Sequence, residues 1–101
     1  MPKGYVIVTE AIKDPEGMEA YTRAAGPSMA ESGARPLVVD DQPRVLEGEW
    51  HGSRTVVLEF ESVEAARAWY DSDAYTEARP LRQAAAESHA VLLSGFEPPR
   101  A

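Results

Sequence analysis

Arg54-Thr55-Val56-Val57-Leu58-Glu59-Phe60-Glu61 reads as a strong strand. Val56, Leu58 and Phe60 fall on one face and Thr55, Val57 and Glu59 on the other, the two-residue period of a β-strand. The chain then changes period at once. Ser62 can cap a helix, Glu64 suits its first turn, and Val63, Ala66, Trp69 and Tyr70 form an apolar stripe. Val57 among the residues opposite Leu58 gives both faces of the strand apolar content.

The neighbouring segments read outward from this junction. Upstream, Val45 to Trp50 reads as a short strand, Asp40-Asp41-Gln42-Pro43 as a turn, and Arg35 to Val39 as a strand that closes a hairpin with it. Before these, Tyr5 to Ile12 reads as a first strand, and Asp14-Pro15-Glu16 opens a helix carrying Met18, Tyr21, Ala25 and Met29 in one stripe. Gly26-Pro27 predicts a kink or short break in that helix, and Gly33 ends it. Downstream, Ser72-Asp73 restarts a helix from Ala74 to about Glu87, bent at Pro80, and Ala90 to Phe96 is a last strand. Without the short addition at 45–50 the order is β-α-β-β-α-β: a ferredoxin-like split βαβ α+β fold, an antiparallel sheet with helices on one face, over residues 3–96, with a frayed tail at 97–101.

Two helices cover one face of so small a sheet. The other face, with Tyr5 and Ile7 or Val6 and Val8, and Val57 or its neighbours, predicts a homodimer. The chain has 101 residues with a net charge of −7 and no cysteine. That charge argues against nucleic-acid and anionic-membrane partners, and the lack of cysteine removes disulfides and thiolate metal sites. Nothing reads as a signal peptide or a spanning segment, so a cytoplasmic location is the expectation.

Leu46-Glu47-Gly48-Glu49-Trp50, Gly33 to Arg35, Leu58 to Ser62 and the helix Ala65-Ala66-Arg67-Ala68-Trp69-Tyr70-Asp71-Ser72-Asp73-Ala74-Tyr75, followed by Arg82, together resemble the domain of unknown function 1330 family. The resemblance implies a dimeric α+β barrel, in which two ferredoxin-like sheets face each other with the helices outside. The wider superfamily it points to holds cofactor-free monooxygenases, haem-using enzymes, isomerases and proteins of no known activity, so the fold does not fix the function.

Candidate chemistry rests on few residues. Glu59, set in an apolar strand, is a candidate general base, or else the partner of an arginine such as Arg35, Arg54 or Arg82. His51, in a turn beside Gly52, is a candidate acid–base group at a cavity mouth, against plain exposure. Trp50 beside Gly48 could face a flat ligand or pack in an interface; Tyr70 and Tyr75 near Arg82 could orient a carboxylate or phenol, or simply pack; Arg35 and Arg82 could fork an anion or pair at the surface. His51 and His89, far apart in sequence, predict no metal site unless the fold brings them close, and no cofactor is expected. The sequence leaves catalysis open. One reading converts or binds a small organic molecule in a cavity between sheet and helices; the other is a non-catalytic ligand-binding or accessory homodimer.

Overall fold

The chain folds as β1 (Gly4–Ile12), α1 (Pro15–Ser32), β2 (Arg35–Asp40), β3 (Arg54–Phe60), α2 (Val63–Asp71), α3 (Asp73–Ala85) and β4 (Ala86–Ser94). The structure is a computed structural model and describes residues 2–99. One antiparallel sheet has the order β2-β3-β1-β4, with the central pair in the register Val6↔Leu58 and Val8↔Val56. Residues directly across an antiparallel ladder share a face. Val6, Val8, Leu58 and Phe60 therefore point together toward the helices, and they are buried with Met18, Ala66, Trp69 and Tyr75.

The caps follow local chemistry. The Ser62 hydroxyl accepts from the Ala65 N–H, and Ser72 does the same for Tyr75, which separates α2 from α3. Gly33 ends α1 in the left-handed region at φ 73°, where a glycine carries no Cβ penalty. At the centre of the core, the Trp69 ring lies 4.0 Å from Tyr75 and 5.4 Å from Phe60, centroid to centroid. Its Nε1 donates to Ser28 Oγ at 3.2 Å.

Two expectations are corrected. Residues 45–50 form no strand; 41–53 is an irregular connection. A strand needs a partner and a face to bury, yet Leu46 is 94% exposed, and Gly48 at φ 72° breaks the extended run. The last strand begins at Ala86, because β1 is nine residues long and its end at Ile12 takes Ala86 as ladder partner. This pairing places Ala86 and Glu87, expected in the helix, in the strand. Pro27 lies inside α1, which runs without a break from Pro15 to Ser32, and Pro80 lies inside α3. The Ser28 hydroxyl donates to the Ala25 carbonyl beside the proline. Of the tail expected at 97–101, residues 97–99 carry no regular structure, and 100 and 101 lie outside the described residues. Among the described residues, no helix is long and apolar enough to cross a membrane.

Candidate functional site

A cleft of about 950 Å³ opens between α1 and the helix-side face of β1, β3 and β2. Its walls are largely apolar: Val8, Met18, Met29, Val56 and Trp69 among them. Arg54 and Glu10 supply polar groups to the same wall. Glu10 follows from strand parity. Val6, Val8 and Glu10 alternate along β1, and the third of these core-facing positions is a carboxylic acid.

Glu10 is 2% exposed. Burial raises its carboxyl pKa above the ordinary glutamate value; Arg54 and then Arg82 oppose the rise, and Asp41 adds to it. The Arg54 side chain is itself held by Asp41, Nε to Oδ1. Behind Glu10 lies a polar chain within the core. Ser88 is the cross-strand partner of Glu10 and accepts from Arg82 Nη1. Arg82 Nε donates to the Tyr75 hydroxyl at 3.3 Å, and Tyr75 and Tyr21 share a hydroxyl–hydroxyl bond of 2.9 Å. The Tyr21 phenol, which lines the cleft, is held protonated with its pKa raised by burial first and by Tyr75 next.

The residues singled out from sequence lie in two places. Glu59 is on the sheet face away from the helices, one residue out of phase with Leu58 and Phe60, so it does not face the cleft. There Arg35 Nη1 lies 3.3 Å from Glu59 Oε1, and the Tyr5 hydroxyl donates to Oε2 at 3.0 Å. That bond is the first cause of the raised Tyr5 pKa, ahead of burial and the carboxylate charge. Trp50 is on the same open face, half exposed, its Nε1 donating to Thr55 Oγ1 at 2.9 Å. His51 is there too, its Nδ1 2.8 Å from Thr9 Oγ1. Its ring stacks on His89, so the two histidines that are remote in sequence are neighbours in space. On the other side of the sheet, Tyr75 and Arg82 are buried in the core, while Tyr70 carries Arg79 over its ring at 4.5 Å. Tyr70 and Arg82 also border a second cavity of about 420 Å³. Glu59, His51, Arg35 and Trp50 are thus separated by the sheet from Tyr75 and Arg82. Glu10 and Glu19 both line the cleft; Glu10 is the one on the sheet, across from Arg54, and parity along β1 could have flagged it.

A four-stranded antiparallel sheet with its helices on one face defines a ferredoxin-like fold. The chain belongs to the family described as Domain of unknown function (DUF1330), which matches residues 3–96. No curated protein matches it. A solved protein of unknown function from Rhodopseudomonas palustris is similar at 23% identity, with a TM-score of 0.75 over 96% of this chain and 85% of that one. The cofactor-independent oxygenase SnoaB from Streptomyces nogalater is similar at 11% identity, with a TM-score of 0.68 over 97% of each chain. A dimeric ferredoxin-like protein of unknown function from Thermobifida fusca has a TM-score of 0.56 at 12% identity, over 92% of this chain and 91% of that one. At these identities the likeness concerns the fold.

Proposed function

We propose that this chain binds a small, mostly apolar organic molecule in the cleft between α1 and the sheet, and that Glu10 exchanges a proton with it without a tightly bound cofactor. One observation carries the reading: a buried carboxyl with a raised pKa stands in the wall of a largely apolar cleft, beside an arginine. Binding sites for small molecules are commonly apolar hollows of about 300–1,000 Å³ with a few placed polar groups. A carboxylate with a raised pKa is a stronger base than a solvated one and is matched to proton transfer nearer neutral pH. Glu10 would take the proton from an acidic C–H or O–H of the ligand, and the Arg54 guanidinium would hold the anion that forms. The fold likeness to a cofactor-independent oxygenase supports the reading without assigning that reaction.

The open sheet face supports a homodimer. Val38, Val91 and Leu93 stand on it with more than two-fifths of their surface in water, and Trp50 borders them. Pairing two such faces removes this apolar surface.

A thermal-shift screen with phenols, aromatic acids and aliphatic acids tests the binding claim, because a ligand of the folded state raises its apparent stability. Gly26 lines the cleft and has open space at its Cβ position, so Gly26→Trp should obstruct it. Hits that stabilise the parent chain and not Gly26→Trp place binding in the cleft. Hydrogen–deuterium exchange into a bound ligand that slows by about 100-fold or more in Glu10→Gln identifies the proton transfer. Binding with no exchange by the parent chain leaves the non-catalytic reading.

A further inference from the structure

On the opposite side of the sheet from Glu10, three metal-ligating side chains converge that lie 36 and 38 residues apart from one end to the other along the chain: His51, Glu87 and His89. One ligand atom from each lies within 4.8 Å of the others. His51 Nε2 is 4.0 Å from Glu87 Oε1. The His51 and His89 rings stack with centroids 3.9 Å apart and planes 6° from parallel. We propose that these three residues form a site for a divalent first-row transition ion that prefers imidazole, with Zn²⁺ the best fit.

His51 shows why the cluster is more than a chance contact. Its Nε2 is buried and has no hydrogen-bond partner among the described residues. A buried ring nitrogen without a partner carries the full cost of its lost hydration, and a metal bond removes it. The other nitrogen, Nδ1, is 2.8 Å from the Thr9 hydroxyl. With Nδ1–H donating to Thr9, the Nε2 lone pair is free to bind an ion, which is the usual arrangement of a metal-ligating histidine and its outer partner. The loop also fixes the ring from behind. Gly52 sits at φ 77° against the Glu10 backbone, where a Cβ would come within 2.5 Å of the Glu10 carbonyl, and Ser53 N–H donates to Glu10 O at 2.9 Å.

His89 and Glu87 come from alternate positions of β4, opposite Thr9 and Ala11 of β1, so strand parity places them on the same face. Both side chains are exposed in the single chain. A tetrahedral Zn²⁺ with bonds of about 2.0–2.2 Å holds its ligand atoms about 3.4 Å apart, so binding requires the His89 ring to tilt out of the stack and Glu87 to close in. Two imidazoles and one carboxylate select Zn²⁺ over oxygen-preferring Mg²⁺ and leave the fourth position to water. An ion there would clip the 41–53 connection to the edge strand β4. The site is separate from the Glu10 cleft, so its success or failure does not decide the proposed function.

The test is calorimetric titration of chelator-stripped, full-length protein with Zn²⁺, with Mg²⁺ as the control, and with Co²⁺ absorption as a reporter of coordination. The expected result is one Zn²⁺ per chain, a visible Co²⁺ band that Zn²⁺ abolishes, and no Mg²⁺ binding at the same concentrations. His89→Ala, an exposed change that leaves the fold intact by circular dichroism, should abolish the Co²⁺ band. Thr9→Val, which touches no ion, should weaken Zn²⁺ binding about 10–100-fold. Stoichiometric Zn²⁺ binding undiminished in His89→Ala, no saturable Zn²⁺ binding, or Mg²⁺ binding of equal strength would overturn the proposal.

Discussion

Replacing Glu10 with glutamine should make the protein more stable while stopping proton transfer. Glu10 is 2% exposed and stands across the ladder from Arg54. Its pKa in the folded chain is raised, first by burial, above its ordinary value of 4.5. The sign follows from proton linkage. Between pH 4.5 and the raised folded value, the folded state holds more protons than the unfolded state, so stability falls as pH rises across that window and stays lower above it. Glutamine keeps the shape and removes the buried charge. Holding a charge in a buried site costs about 1–3 kcal/mol where its neighbours do not fully replace water, so Glu10→Gln should gain about 1–3 kcal/mol at pH 8. For a domain of about 100 residues each kcal/mol moves Tm by about 4–8 °C. Below pH 4.5 both states of the parent chain are protonated at this position and the gain should vanish. Urea unfolding followed by circular dichroism at pH 4 and pH 8, for both proteins, measures the difference. A Glu10→Gln protein that is less stable than its parent at pH 8 would refute the reasoning, because it would mean that Arg54 and Arg82 outweigh burial and hold the carboxylate as an ion pair.

Trp69→Ala should cost about 3–5 kcal/mol in the same urea assay, since it empties the centre of the aromatic cluster; a loss under 1 kcal/mol would mean that the core closes around the gap. Gly52→Ala should cost about 1–3 kcal/mol through strain at φ 77° and contact with the Glu10 backbone, and should speed proteolytic nicking of residues 41–53; unchanged stability would show that the loop is not docked as described. Val91→Asp places a charge on the open face without disturbing the helix-side core. In sedimentation equilibrium the parent chain should weigh twice 11.0 kDa and the variant 11.0 kDa, while a parent chain monomeric at every concentration would contradict the homodimer.

Much of the fold was legible because local rules and tertiary structure agree. The alternation at 54–61, the Ser62 and Ser72 caps and the Gly33 terminus each state the element that forms. The extent of β4 was not legible, since its start at Ala86 is dictated by the length of a strand 74 residues earlier, at Ile12. The 45–50 segment misled because the pattern of Val45, Leu46 and Trp50 resembles a strand, while nothing in a short window says that no neighbour pairs with it.

The candidate site was legible in part. Glu59 drew attention as an acid between Leu58 and Phe60, yet that same spacing puts it on the face opposite those side chains, where Arg35 and Tyr5 meet it. Glu10 obeys the same rule in the opposite sense. It is in phase with Val6 and Val8, and the raised pKa comes from the burial that phase entails. The contact between His51 and His89 depends on how the 41–53 connection crosses β1, which no sequence spacing encodes.

The most direct measurement is a carbon-13 NMR titration of the side-chain carboxyls in the protein free of added ligand, with Glu10 assigned by its loss in Glu10→Gln. The Glu10 carboxyl is expected to titrate above 4.5. A Glu10 that titrates at or below 4.5 would contradict the claim that the cleft holds a carboxyl prepared by burial for proton transfer.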